Sequence, residues 1–105
     1  MENNKAPEKI TFTLKESLTL FEFMESKEYF FNGFTPIDLM KNYHFKEFYF
    51  KLYKAIINRR NDEKVNLKIN EIERHVMSIF LNHFELNPLL LCVESNLING
   101  LVKLN

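Results

Sequence analysis

Apolar and polar residues alternate in two short segments of the chain, 10–14 (ITFTL) and 65–69 (VNLKI). A period of two is typical of a strand with one buried face. The second segment follows a turn signal at Asn61-Asp62-Glu63. We expect it to pair either with the first segment or with the residues before that turn.

Between the two alternating segments, apolar residues recur at helical spacing, which predicts a first helix over about 18–31. Thr19 and Glu22 fit the capping box of its start, and Gly33 fits a left-handed residue just past its end. A rival interpretation makes residues 18–23 the second arm of a hairpin with the first strand.

Thr35 as cap and Pro36 at the first helical position predict the start of a second, short helix. Residues 42–44 (Asn-Tyr-His) are then expected to form a turn, and a third helix is expected over 45–57. The polar side of that helix includes Glu47.

Two more helices are predicted after the second strand. Asn70 fits the cap of a fourth helix, and Asn87 with Pro88 closes it and opens a very apolar fifth helix. We expect Gly100 to end the fifth helix before the last residues of the chain.

These elements predict a mainly helical α+β fold with a small sheet, in the order β-α-α-α-β-α-α. Only 2 Gly and 3 Pro in 105 residues disfavour a sandwich or barrel with many turns. Residues 1–9 are expected to form a flexible tail and residues 10–105 a single domain. No run resembles a signal peptide or a membrane span, so we expect a cytoplasmic protein without membrane contact.

Charge is balanced over the whole chain, at 14 basic and 14 acidic residues, but it is uneven along it. Residues 41–60 hold six basic residues and one acidic residue. A local basic patch of this kind can neutralise the phosphates of a nucleic acid. The candidate nucleic-acid contacts are Lys41, Lys46, Lys51, Lys54, Asn58, Arg59 and Arg60.

The order of elements in residues 10–69 resembles a winged helix-turn-helix domain. The similarity lies in a strand, a helix, a short helix, a tight turn, a longer basic helix and a second strand. It implies that residues 45–57 are the recognition helix, that Arg59 and Arg60 lie at or near a wing, and that the partner is double-stranded DNA.

The predicted third helix has an unusually wide apolar arc. One stripe holds Phe45, Tyr49, Leu52 and Ile56, and a second stripe beside it holds Phe50, Tyr53 and Ile57. Such an arc indicates either a central helix packed from two sides or a helix that presents rings to a partner. The rings of Tyr43, Phe48 and Tyr53 are the candidates for exposed anchors in a protein partner's pocket.

Metal and catalytic chemistry have little support in the sequence. His75 and His83 are eight residues apart and His44 is distant, so they lack the local pairs of a metal site. Cys92 lies in the apolar run 89–93, where we expect a buried, inert thiol. Ser78 lies three residues from His75, a spacing that arises often by chance. We therefore expect neither an enzyme nor a cofactor.

The last helices, residues 70–105, carry more apolar side chains than a chain of this size is expected to cover by itself. Symmetric dimers readily bury such surface. We expect a homodimer with its contact in this region.

Together these features favour a non-enzymatic, DNA-binding accessory or regulatory protein. The abundance of Asn, Lys, Ile and Phe is typical of AT-rich bacterial genomes and suggests a mobile element or phage. The alternative is a protein-interaction module, an adaptor or inhibitor of another protein, which uses exposed aromatic anchors in residues 41–60.

Overall fold

A computed structural model describes residues 9–59 and 63–102, the last three as backbone only. Within these ranges the elements are β1 (Lys9–Thr13), α1 (Leu14–Ser26), α2 (Pro36–Ile57), β2 (Lys64–Lys68), α3 (Glu71–Asn82) and α4 (Pro88–Val102). The predicted class, mainly helical with a small sheet, is confirmed. The predicted order is wrong by one helix, because two helices rather than three separate the strands.

The two alternating segments form the antiparallel pair β1 and β2, with Lys9 opposite Lys68 and Thr13 opposite Lys64. This pairing decides between the two partners that the sequence allowed for β2. Apolar residues of both strands point to the same buried side, as a period of two requires.

Helix α1 begins directly after β1. Its cap is Thr13, six residues before the predicted cap at Thr19. Thr13 forms the capping box instead: the Glu16 N–H donates to its hydroxyl at 3.0 Å, and its own N–H donates to the Glu16 carboxylate at 2.8 Å. The hairpin over residues 18–23 is therefore also wrong. The next N–H, of Leu14, donates to the carbonyl of Glu63 at 2.8 Å, so α1 starts where the strand pairing ends.

Helix α2 is continuous through residues 42–44, and the predicted turn there is absent. The Thr35 hydroxyl and the Asp38 carboxylate form its capping box. The sequence has no Gly or Pro between Pro36 and Pro88, so nothing stops the helix at residue 42. The winged helix-turn-helix resemblance stays a prediction, without the turn that defined its recognition helix, and residues 60–62 of its wing lie outside the described residues.

Gly33 is needed for a reason other than the one predicted. The described glycines have no positive φ. A side chain at residue 33 would instead collide with the carboxylate of Asp38, which caps α2. The glycine thus permits a close approach of the α1–α2 loop to the start of α2.

The core lies between the four helices and the inner face of the sheet. Its aromatic centre is Phe80 of α3, whose ring lies 4.8 Å from Phe45, 5.5 Å from Phe23 and 5.3 Å from Phe30. Helix α4 buries its apolar side chains in the same core. It also continues through Gly100, where the sequence predicted its end.

Cys92 is exposed on α4, and the prediction of a buried thiol is wrong. The apolar run around it places Leu90 and Val93 inside, and the turn of the helix carries Cys92 to the outside.

Because Cys92 is exposed, we expect one thiol per folded chain to react with a coloured disulfide reagent in native buffer. The rate should change by less than about tenfold in urea, since unfolding removes little protection from an exposed group. A thiol that reacts only after unfolding would contradict the position of Cys92.

Candidate interaction surface

One side of α2 forms part of the core. Phe45, Phe48, Leu52 and Ile56 recur at three and four residues, and all four are buried. Phe48 has 0% of its surface exposed. Its prediction as an exposed partner-binding anchor is therefore wrong, because its position on the helix coincides with the core stripe.

The opposite side of the same helix exposes a row of large apolar side chains, which we call the outer face. Its members and their exposed fractions are Leu39 (53%), Tyr43 (60%), Phe50 (54%), Tyr53 (47%) and Ile57 (58%). At roughly 100° per residue, the centre of this row lies about 140° around the helix from the core stripe. Helix α2 is thus apolar on two separate sides, of which the fold covers one.

Contacts with α3 fix which side of α2 faces inward. The Lys51 ammonium lies 2.8 Å from a carboxylate oxygen of Glu73, whose side chain is almost completely buried. The same oxygen accepts the backbone N–H of Asn70 at 3.0 Å, so Glu73 closes the capping box of α3 and holds α2 at once. A buried carboxylate of this kind is costly without its cation, which makes the Lys51 contact structural.

Contacts with α1 support the other edge of the outer face. Phe21 stacks on Tyr49 with ring centroids 4.8 Å apart, and on Tyr53 at 5.9 Å. The Tyr49 hydroxyl donates to a carboxylate oxygen of Glu25 at 3.1 Å. Tyr53 is therefore held in place although about half of its surface is exposed, which lowers the entropy lost on binding a partner.

A groove of about 410 Å³ runs between α1 and α2 beside the outer face. Its charged lining is Glu25, Glu28 and Lys46, and the rings of Tyr49 and Phe50 form part of its wall. The α1 edge of the outer face therefore carries both signs of charge next to aromatic surface.

Partial burial raises the pKa of the Tyr49 phenol, and the hydrogen bond to Glu25 and the negative charge of that residue act in the same direction. The folded state therefore favours the neutral phenol. This contribution to stability is complete below the ordinary pKa, near 10, and is lost as the pH rises through the higher pKa of the folded state.

Lys51 and Lys54, three residues apart, lie on the same side of α2, but the predicted nucleic-acid contacts as a whole do not share one face of the helix. Lys41 and Lys46, and likewise Lys46 and Lys51, are five residues apart, which separates each pair by roughly 140° around the helix. Lys41 is half-buried, and Lys51 is paired with Glu73. Lys46 is exposed but lines the groove with Glu25 and Glu28.

The remaining candidates lie at the C-terminal end of α2. Lys54 is exposed in the last turn, Asn58 is the C-cap, and Arg59 donates to the carbonyl of Ile56 at 2.5 Å. Cations in these positions interact favourably with the helix dipole. Arg60 lies outside the described residues.

Leu39, Phe50 and Ile57 were missed as site residues by the sequence reasoning. Their signal is the spacing of an outer row that runs from residue 39 to residue 57 and is interrupted only by Lys46. The row is visible only if residues 36–57 form one helix, and the turn predicted at residues 42–44 cut it in two.

Other site types find no support in the described part of the chain. No three His, Cys, Asp or Glu side chains in residues 9–59 and 63–99 are grouped as metal ligands would be. None of the helices in these ranges has the length and apolar character needed to cross a membrane.

Comparison with protein-family models, with curated proteins and with solved structures gave no match. Function is therefore inferred from the residues of this chain alone.

The Tyr49→Phe variant tests the Tyr49–Glu25 contact. At neutral pH we expect it to lower the free energy of unfolding by about 1 kcal/mol, the net value of one hydrogen bond. The difference from the wild type should shrink above about pH 10, because only the wild type loses stability as Tyr49 ionises. Urea titrations over this pH range measure it, and a constant difference would contradict the raised pKa.

Phe48→Ala and Phe50→Ala form a matched pair that tests the two sides of α2. The first removes a buried ring and should lower the free energy of unfolding by about 3–5 kcal/mol. The second removes an exposed ring and should cost less than about 1 kcal/mol. Urea unfolding followed by circular dichroism measures both, and equal losses would contradict the orientation of the helix.

Proposed function

We propose that this protein is a non-enzymatic protein-interaction module that binds through the outer face of α2. The observation that carries the proposal is the row of five exposed apolar side chains opposite the core stripe of the same helix. Scattered single apolar residues on a surface need no explanation, whereas a row of five on one helix face is typical of a binding surface.

The composition of the outer face suits recognition of a protein. Tyr and Phe are enriched at the centres of protein interfaces, where they fill pockets at a low cost in side-chain entropy. The face includes one Phe and two Tyr, and Phe21 supports Tyr53 from behind. Lys46 lies within the row, and Lys54 and Glu47 lie at its edge, where charged residues steer encounter and select the partner.

Duplex DNA is the competing partner. A DNA-binding helix needs several cations on one side to follow the phosphate backbone. Lys46 and Lys51 point in different directions, Lys51 is paired with Glu73, and Lys46 lines a groove with Glu25 and Glu28, so the arrangement favours a protein partner. The outcome that would replace this proposal is DNA binding by the predicted contacts, which are Lys41, Lys46, Lys51, Lys54, Asn58, Arg59 and Arg60.

A photoreactive amino acid at position 53 tests the proposal directly. Benzoyl-phenylalanine in place of Tyr53 should, on irradiation of the cells that produce the protein, give a covalent adduct of defined mass, because the ring would lie inside the interface. The same substitution at Lys68, on the exposed side of β2, is the matched control and should give none. Gel mobility and mass spectrometry identify the adduct, and equal labelling at both positions would contradict a specific face.

Titration of labelled duplex DNA at two salt concentrations distinguishes DNA binding from the proposed protein-interaction function. We expect no binding tighter than about 10⁻⁵ M at physiological salt, which is within the range of non-specific affinity. Tight binding that weakens steeply with salt and is lost in the double variant Lys46→Ala, Lys54→Ala would replace the protein-interaction function with a DNA-binding one.

A further inference from the structure

The outer face has the geometry of a helix-pairing seam. When Lys46 is included, its positions are 39, 43, 46, 50, 53 and 57, which alternate between spacings of four and three. This is the seam of a heptad pattern, which lets one helix lie along another at a shallow angle. The seam is about 27 Å long at 1.5 Å per residue. An extended peptide or a flat surface would not use this spacing.

We propose that the outer face of α2 is covered by a second copy of this chain, with the two α2 helices packed antiparallel about a twofold axis. The inference rests on the proposed function and names the partner that the outer face binds. The contact is isologous: each copy presents the same seam to the other.

The exposed area is of the size that a dimer needs. Each of the five apolar side chains exposes roughly 100 Å², so together with the stem of Lys46 the seam presents about 600–700 Å² per protomer, close to the ~800 Å² per partner of a standard interface. Contacts of the flanking loop residues would add to this value. Phe34, in the loop before α2, is 89% exposed.

The single cation in the seam decides the orientation. In a parallel pair each residue meets its own copy, so Lys46 would face Lys46, and like charges in a seam are destabilising. In the antiparallel pair that overlaps the whole seam, Leu39 faces Ile57 and Tyr43 faces Tyr53. Lys46 then faces Phe50, where an ammonium over a ring is favourable.

The charges beside the seam allow two identical copies to approach. Both signs of charge lie along the seam: Glu25 and Glu28 of α1 line a groove with Lys46 of the seam, and Lys54 lies with Glu47 on the other edge. The formal net charge of the chain is zero, so no long-range repulsion opposes self-association. A strongly acidic or strongly basic partner protein would not be attracted, because the surface beside the seam carries both signs of charge.

The proposed contact differs from the dimer that the sequence predicted in residues 70–105. Helix α4 buries Leu90, Val93 and Leu97 within the protomer. Part of the apolar surface that suggested a C-terminal contact is therefore used internally. Leu91 is exposed on α4 and provides a test of the earlier expectation.

Light scattering on the full chain during size-exclusion chromatography is the first test. At about 50 µM we expect twice the chain mass of 12.7 kDa. Tyr43→Glu and Ile57→Glu, at opposite ends of the seam, should each weaken the dimer at least tenfold, while Leu91→Glu should leave it intact. Circular dichroism checks that each variant is folded. A wild-type monomer, or a dimer that is lost only with Leu91→Glu, would overturn the proposal.

Engineered disulfides test the orientation. In a Cys92→Ser background, a Tyr43→Cys chain mixed with a Tyr53→Cys chain should give a mixed disulfide on mild oxidation, because the antiparallel pair brings these two positions together. Neither chain alone should form a disulfide with its own copy. Disulfides between identical chains would establish a parallel pair and overturn the antiparallel arrangement.

The two proposals fail differently. If the purified chain is monomeric and Tyr53 gives an adduct to a different protein in cells, the dimer is contradicted and the interaction function is supported. If the chain is monomeric and gives no specific adduct, both proposals are contradicted. An adduct with the mass of two chains supports both.

Discussion

The packing of one stripe of α2 into the core is the constraint on which the rest of the structure depends. Phe45, Phe48, Leu52 and Ile56 fix the rotation of the helix, and the ion pair between Lys51 and Glu73 holds it against α3. Burial of four large apolar side chains is worth several kcal/mol in total. Rotating the helix to hide the outer face would give up this burial and separate Glu73 from its cation.

The exposed row is therefore a consequence of the core. A helix in a small α+β fold has neighbours on one side, and a helix of 22 residues that is apolar on both sides must leave one of them uncovered. Support from α1 keeps two rings of this region in place, through the stacking of Phe21 on Tyr49 and Tyr53. Rigid, exposed apolar surface of this kind is typical of an interface.

Local signals predicted the elements well where they acted alone. The alternating segments became β1 and β2, and Asn70 caps α3 as expected. Where two signals competed, the sequence could not decide. Thr13 and Thr19 both begin the pattern Thr-x-x-Glu, and α1 starts at Thr13 because the N–H of the next residue still pairs with the β2 side of the sheet. Pairing between distant segments decides such a case.

The sequence by itself determined the fold class, three of the four members of the buried stripe of α2 and the exposure of Tyr43 and Tyr53, because helical periodicity and apolar character are properties of the chain. Only the tertiary structure decided that residues 36–57 form one helix, that Phe48 is inside and that Lys51 is paired with Glu73. The physical reason is that both stripes of α2 are apolar enough to be core. Which stripe is buried depends on the contacts that α2 makes with α1 and α3, and the local pattern of α2 does not specify these contacts.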